Sequence, residues 1–205
     1  MLRAALTPNF ADTHMYSPRV ELAITTVLEA HGLNRRKAGR GFQTSHALSV
    51  ALIVTDYGFD EDTVIAGLLH DTLEDTDLDP DVIEDRFGAL VLEMVRDVSE
   101  PPRSRAWRDR KLQYIEQLRR SPRPGTRAVA AADKIHNLSK MAHGLREQGI
   151  AFIRPFTASI EDMVWYHETV LETIGVDWHH AILTEQARQL EVFLEAARES
   201  SSLRS

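Results

Sequence analysis

Four ionisable residues follow an apolar run in the stretch GLLHDTLEDT, which spans residues 67–76. On a helix, residues four apart lie on one face, with their β-carbons about 5–6 Å apart. This spacing pairs His70 with Glu74 and Asp71 with Asp75. Burial of an unpaired carboxylate costs several kcal/mol, so acids on a core-facing helix need partners or a bound cation. The spacing therefore indicates a metal-binding or acid–base site at the end of a buried helix.

The same spacing recurs in ADKIHN, where Asp133 and Asn137 share a face of an alanine-rich helix. A bound cation would explain both polar sets. The chain has no cysteine, and imidazole with carboxylate suits Mn²⁺, Fe²⁺ or Zn²⁺. Such an ion lowers the pKa of its water towards about 7. The competing interpretation makes Glu74 and Asp75 a solvated helix end. We interpret His136 as a structural residue, because it faces about 100° away from Asn137.

Proline, glycine and capping residues divide the chain into helices. The expected helices cover residues 18–31, 46–57, 61–75, 80–87, 90–98, 104–119, 127–144 or 127–149, 159–174 and 178–194. Thr44-Ser45 is the expected cap of the second helix, and Asp177 is that of the last. Alternating strand patterns and short hairpin turns are absent. We therefore expect an all-α fold of about eight to ten helices.

Length and charge limit the partners of the chain. The 205 residues suit one domain, and the formal charge of −7 disfavours general attraction to nucleic acid or an anionic membrane. No stretch approaches the roughly 18 apolar residues of a membrane span, and the N-terminus lacks a signal-peptide pattern, so we expect a cytoplasmic protein. An anionic ligand then needs local cations. Two stretches supply them: Arg36, Lys37 and Arg40, then Arg103, Arg105, Arg108, Arg110 and Lys111. Arg110 and Lys111 are the preferred phosphate contacts, because charge-assisted hydrogen bonds to phosphate are strong.

A family resemblance joins these motifs. His46, His70-Asp71 and Asp133 match the H…HD…D pattern of HD-superfamily metal-dependent phosphohydrolases. HDTLEDT and AADKIHNL resemble the hydrolase half of the RelA/SpoT enzymes, which break down (p)ppGpp. WRDRK and VWYHETVLETI are most similar to stand-alone proteins related to that hydrolase. The resemblance spans about residues 35–145 and implies an HD-domain helical bundle. Helices in residues 150–199 would pack on this core within one domain of residues 1–205.

The resemblance also implies roles for individual residues. The metal ligands, usually of Mn²⁺, would be His46, His70, Asp71 and Asp133. Glu74 and Asp75 would orient or deprotonate the attacking water. Asn137 would contact the nucleotide, and Arg36 and Lys37 would lie near the guanine base.

The chain departs from the family pattern at two places. Arg36 and Lys37 lie ten and nine residues before His46. Each spacing is one residue longer than in the family pattern. The segment FQTSHAL has Phe42 where the family usually has a tyrosine, and it lacks the proline that usually follows the histidine. Both departures concern the nucleotide contacts and leave the metal set complete.

Three functions are compatible with this pattern. The first is Mn²⁺-dependent hydrolysis of the 3′-pyrophosphate of (p)ppGpp to GDP or GTP and pyrophosphate. The second is phosphohydrolysis of another nucleotide or phosphorylated metabolite, such as NADPH, and the third is nucleotide binding for regulation without catalysis. The intact pair Glu74-Asp75 favours an enzyme, because binding alone does not require it. We expect a small nucleotide as the partner, with no nucleic-acid polymer and no membrane, and leave homo-oligomerisation open.

Overall fold

The structure is a computed structural model that describes residues 16–37 and 41–202. Within these residues it is all-α, as the sequence predicts, with ten α-helices and one short 3-10 helix. An isolated antiparallel bridge joins Arg35 to Phe42 across the loop between the first two helices. None of the helices in the described ranges is long and apolar enough to cross a membrane.

The helices follow one another through short connections. Their bounds are α1 Pro18–His31, α2 Gln43–Asp56, α3 Glu61–Leu69, α4 Thr72–Asp75, α5 Pro80–Phe87, α6 Ala89–Val98, α7 Trp107–Arg120, α8 Pro124–Gln148, α9 Ile160–Gly175 and α10 Ala181–Ser202. The 3-10 helix Gly149–Ile153 lies between α8 and α9.

Local sequence explains where several helices begin. The hydroxyl of Ser17 accepts a hydrogen bond from the Val20 N–H at 3.1 Å, and a proline opens α1. Asp60 caps α3 by accepting from the Thr63 N–H at 2.9 Å. Asp79 caps α5 in the same way. These starts agree with the capping residues in the sequence.

Other expected boundaries are wrong by a few residues. α2 begins one turn earlier than expected, because Phe42 takes the cap position and Ser45 binds back to it from within the helix. α8 begins at Pro124, since proline suits a first helical turn. The last helix starts at Ala181, because Asp177 has a left-handed backbone with φ of 53°.

The largest difference lies in the opening motif. The helix expected through residues 61–75 is broken between α3 and α4, and His70 and Asp71 occupy the break. The Thr72 hydroxyl binds the Leu69 carbonyl at 2.7 Å, which takes that carbonyl out of the regular helical pattern. The Asp75 N–H donates to the Asp71 carbonyl at 2.9 Å, so Asp71 is the residue from which α4 starts.

Helix α8 runs through the centre of the bundle. Its alanines at positions 128 and 130–132 are fully buried, and their small side chains allow α2 and α3 to pack closely on it. α10 and the 3-10 helix cover the C-terminal half of α8 and form a second apolar cluster there. Gly144 is necessary for this packing, because a β-carbon on it would overlap the ring of Phe152. The bundle therefore holds α2, α3 and α8 in a fixed relation.

Candidate metal centre and the cleft beside it

Two imidazoles and two carboxylates meet inside the bundle. Nε2 of His46 lies 3.1 Å from Nε2 of His70. It also lies 3.3 Å from Oδ2 of Asp71 and 3.2 Å from Oδ1 of Asp133. Nε2 of His70 lies 3.1 Å from Oδ1 of Asp71 and 3.8 Å from Oδ1 of Asp133. Ligand atoms of His46, His70 and Asp71 all lie within 4.8 Å of one another, which is a suitable arrangement for one ion.

Three separate segments supply these four side chains. His46 lies in the first turns of α2, His70 and Asp71 lie in the break between α3 and α4, and Asp133 lies along α8. The direct packing of α2, α3 and α8 on one another brings the segments together. Both histidines are buried, with 1% and 2% of their surfaces exposed.

The second nitrogen of each imidazole is also engaged. Nδ1 of His70 lies 2.8 Å from the carbonyl oxygen of Gly67. Because a carbonyl only accepts, Nδ1 must donate, and Nε2 of His70 remains available to bind a cation. Nδ1 of His46 lies 2.8 Å from Nδ1 of His136. Both rings are thus held with Nε2 directed at the carboxylates.

The electrostatics of the cluster favour a cation. Burial lowers the pKa of His70, but the carboxylates of Asp71 and Asp133 together outweigh burial and raise the pKa to about 9. Burial raises the pKa of Asp71 and of Asp133. The imidazoles of His70 and His46 together outweigh burial at Asp71, and Lys134 with the same two imidazoles does so at Asp133, so both carboxyl pKa values stay well below the ordinary value. Two ionised carboxylates and two imidazoles form a nitrogen and oxygen donor set that suits Mn²⁺, Fe²⁺ or Zn²⁺.

Asp133 is fixed by two neighbours on α8. Lys134 donates from Nζ to Oδ2 at 2.6 Å, and Asn137 donates from Nδ2 to Oδ1 at 2.5 Å. Lys134 is only 4% exposed, and its Nζ lies 4.6 Å from the centre of the Tyr114 ring. A buried ammonium must be paired, so Lys134 holds Oδ2 of Asp133 while Oδ1 faces His46.

The acidic pair Glu74 and Asp75 lies on α4 in the same cleft. Asp75 accepts from Nε2 of Gln43 at 2.7 Å and from Arg103 at 2.5 Å. Oε2 of Glu74 lies 3.4 Å from the backbone N–H of Glu100. Burial, followed by the Glu100 charge, raises the pKa of Glu74 to about 8. The two neighbouring acids therefore have different surroundings.

A cleft of about 1500 Å³ opens beside the four converging side chains. Its basic lining residues include Arg35, Arg36, Lys37, Arg103, Arg110, Lys111 and Lys140. Its aromatic lining residues are Trp107, Phe152, Phe156 and Tyr166. The local cations that an anionic ligand needs are therefore concentrated at this cleft, although the whole chain carries a formal charge of −7.

Arg36 and Lys37 line the cleft from the loop between α1 and α2. Arg36 donates to Oδ1 of Asn137 at 2.6 Å and to Oε1 of Gln43 at 3.3 Å. Nζ of Lys37 lies 6.0 Å from the centre of the Phe156 ring. The Arg36–Asn137 hydrogen bond joins two of the residues expected to contact the nucleotide.

Arg110 and Lys111 line the cleft from α7 and face acids. NH1 of Arg110 lies 3.4 Å from Glu100 and 3.9 Å from Glu74. The Nε atom of Arg110 is buried without a hydrogen-bond partner. Lys111 is paired closely with Glu100, and its Nζ lies 4.4 Å from the centre of the Tyr166 ring. Arg110 therefore retains an unused donor, whereas Lys111 is held by its partner.

Two other cations, both from the second stretch, lie outside the cleft. Arg105 donates to Gln113 at 2.8 Å on the surface of α7. Arg108, also exposed, donates to Asp162 at 3.1 Å. Neither lines the cleft, and Arg40 lies outside the described residues. Of the second stretch, Arg103 joins Arg110 and Lys111 in the cleft.

The sequence interpretation missed four residues that support the cluster: His136, Gln43, Lys134 and Glu100. One signal was available for His136, because its spacing of three from Asp133 places both on one helical face. This spacing from Asp133 is a better guide to the position of His136 than its angle of about 100° to Asn137, which suggests a purely structural residue. Gln43 and Glu100 reach their partners through packing between separate segments, for which the sequence offers no spacing rule. Lys134 is next to Asp133 in the chain, but its burial against the Tyr114 ring depends on the same packing.

Comparisons with known proteins show the family of this chain. A family model described as HD domain matches residues 23–154. A guanosine-3′,5′-bis(diphosphate) 3′-pyrophosphohydrolase of Mus musculus, MESH1, is 40% identical over 111 residues, which are 53% of this chain and 61% of the mouse protein. A protein of the same name from Homo sapiens is 39% identical over 111 residues, 53% of this chain and 61% of the human protein. A guanosine-3′,5′-bis(diphosphate) 3′-pyrophosphohydrolase of Aquifex aeolicus is 40% identical over 85 residues, 42% of this chain and 12% of that protein. The chain thus spans less than two thirds of each of these relatives.

Two solved structures share the fold. A metazoan ortholog of SpoT that hydrolyses ppGpp superposes with a TM-score of 0.71 over 88% of this chain and 96% of that chain, at 24% identity. A protein of Listeria monocytogenes EGD-e superposes with a TM-score of 0.64 over 71% of this chain and 96% of that chain, at 30% identity. The helical bundle of this chain therefore has the same fold as these two solved structures.

Proposed function

Because this chain belongs to the HD domain family, we propose that it is a metal-dependent phosphohydrolase that removes the 3′-pyrophosphate of (p)ppGpp. The observation that carries the proposal is the convergence of His46, His70, Asp71 and Asp133 beside the pair Glu74-Asp75. The pyrophosphohydrolases of mouse, human and Aquifex support the choice of substrate.

We propose His46, His70, Asp71 and Asp133 as the ligands of one divalent ion, most suitably Mn²⁺. The choice of Mn²⁺ follows the family resemblance, because imidazole and carboxylate ligands without sulphur suit Mn²⁺, Fe²⁺ and Zn²⁺ alike. An ion bound there supplies Lewis acidity to its water and to a phosphoryl oxygen. Lys134 and Asn137 keep Asp133 oriented towards that position.

Substrate binding is assigned to Arg36, Lys37, Arg110, Lys111 and Asn137. Arg110 is the best-supported phosphate contact, because its guanidinium lines the cleft and has an unsatisfied Nε–H. Lys111 is held by Glu100, so its charge contributes from a fixed position. Arg36 and Asn137 are already joined and offer their remaining donors to the nucleoside part.

The acid pair handles the water and its protons. In the proposed step, the water oxygen forms a bond to the phosphorus attached to the ribose 3′ oxygen, and the bond between that phosphorus and the 3′ oxygen breaks. One proton leaves the water, and one proton reaches the released 3′ oxygen. Glu74 and Asp75 would orient that water and move these protons, and the hydrogen bonds from Gln43 and Arg103 to Asp75 support this role.

One observation supports an alternative phosphorylated substrate. Pockets for small ligands are typically about 300–1,000 Å³. The cleft of about 1500 Å³ is larger and would accommodate a bulkier nucleotide such as NADPH. Phe42 stands where the family usually has a tyrosine, and its ring centre lies 4.8 Å from the guanidinium carbon of Arg35, a residue that lines the cleft.

A substrate panel tests the proposal. The purified protein, loaded with Mn²⁺, is assayed for pyrophosphate release from ppGpp and for phosphate release from NADPH and other nucleotides. We expect pyrophosphate from ppGpp, and loss of this release in His70→Ala. Turnover of another nucleotide without turnover of ppGpp would show that the other nucleotide is the substrate. Metal binding without turnover of any substrate would favour a regulatory domain.

We also propose the setting in which this activity takes place. The protein would act in the cytoplasm as one domain of residues 1–205, with α9 and α10 packed on the catalytic core. Its formal charge of −7 supports a small nucleotide rather than a nucleic-acid polymer or an anionic membrane as the partner.

A further inference from the structure

His136 makes a contact that neither the metal set nor the acid pair explains. It lies on α8, one turn beyond Asp133 and half-buried. Its Nδ1 is 2.8 Å from Nδ1 of His46, and the two ring centres are 4.7 Å apart. This distance requires a hydrogen bond, in which one nitrogen donates and the other accepts.

The direction of that hydrogen bond follows from the other nitrogen of His46. Nε2 of His46 faces Nε2 of His70 at 3.1 Å and Oδ1 of Asp133 at 3.2 Å, where a cation requires a lone pair. A neutral imidazole with its lone pair on Nε2 carries its proton on Nδ1. His46 must therefore donate from Nδ1, and His136 must accept at Nδ1 and carry its own proton on Nε2.

We propose that His136 is a positioning residue for the metal centre, selecting the tautomer and the ring plane of His46. The inference rests on the proposed metal site but not on the identity of the substrate. Metal-bound histidines normally have such a partner on the second nitrogen, and loss of that partner typically costs about 10–100-fold in metal affinity or activity.

The two histidines differ in how they are held. His70 is oriented by the backbone carbonyl of Gly67, at 2.8 Å, which no side-chain substitution removes. His46 is oriented by a side chain, at the same distance of 2.8 Å. Substitution of His136 therefore separates ring orientation from the ligand set, because all four proposed ligands stay in place.

Metal titration of the substrate-free protein is the first test. We expect His136→Phe, which keeps a ring but has no acceptor, to bind Mn²⁺ about 10–100-fold more weakly by calorimetry. His136→Asn, whose Oδ1 can take the place of Nδ1, should recover most of the affinity. His179→Phe, at an exposed histidine outside the cleft, is the matched control and should bind like the parent.

The tautomers of the unmodified protein provide a second test, which does not depend on any variant folding. Long-range ¹H–¹⁵N spectra of the Zn²⁺-loaded protein should show His46 protonated on Nδ1 and His136 protonated on Nε2. Protonation of His136 on Nδ1, or a folded His136→Phe variant with parental affinity, would overturn the proposal. Because neither readout includes a substrate, failure of the proposed activity would leave these results unchanged.

Discussion

Asp71→Asn is expected to reduce hydrolysis by about 10³-fold or more. A divalent ion contributes several kcal/mol to phosphoryl transfer, and each 1.36 kcal/mol corresponds to about a factor of ten in rate. The amide keeps the shape of the carboxylate but removes the charge that lies 3.3 Å from His46 and 3.1 Å from His70. Both the hydrolysis rate and Mn²⁺ binding are measured.

Asp85→Asn is the matched control for this variant. Asp85 is exposed on α5, away from the cleft, so the same substitution there removes a charge far from the site. The Asp85→Asn variant should retain the parental rate and the parental Mn²⁺ affinity. The far-ultraviolet circular dichroism of Asp71→Asn should remain that of a helical protein, since the apolar core is untouched. Mn²⁺-dependent activity of a folded Asp71→Asn variant within tenfold of the parent would contradict the assignment.

Glu74→Gln and Asp75→Asn should each lower kcat by about 10²–10⁴-fold, the usual contribution of general acid or base catalysis. Both residues lie in the cleft and neither belongs to the proposed ligand set. Mn²⁺ affinity should therefore stay close to that of the parent, in contrast to Asp71→Asn. Single-turnover hydrolysis and Mn²⁺ titration separate the two effects.

The chain contains a matched control for the acid pair. Glu84-Asp85 repeats the same dipeptide on the exposed side of α5. Glu84→Gln and Asp85→Asn should leave kcat unchanged. A loss of Mn²⁺ binding in Glu74→Gln or Asp75→Asn equal to that in Asp71→Asn would instead make the acid a ligand.

Much of the architecture could be predicted from local sequence signals. The helices capped by Ser17, Asp60 and Asp79 begin where their side chains bind backbone N–H groups. The four expected metal-binding side chains also lie together, because α2, α3 and α8 pack directly on one another. Short-range rules work here, since capping and motif order depend on residues close in the chain.

Long-range contacts could not be predicted in the same way. The hydrogen bond between His46 and His136 spans 90 residues and depends on the register between α2 and α8. Lys111 is likewise paired with Glu100, whereas its sequence position suggests a cation that is free to contact phosphate. The break at His70 depends on Thr72 binding the Leu69 carbonyl, which competes with helix continuation. Each outcome is decided by tertiary packing or by competition for one backbone group.

The central claim is that one divalent ion is held by His46, His70, Asp71 and Asp133. Anomalous diffraction from crystals grown with Mn²⁺, recorded on both sides of the manganese edge, locates such an ion directly. We expect one strong peak between the two Nε2 atoms and the carboxylate oxygens of Asp71 and Asp133. A peak bound elsewhere, with these four side chains directed away from it, would contradict the account.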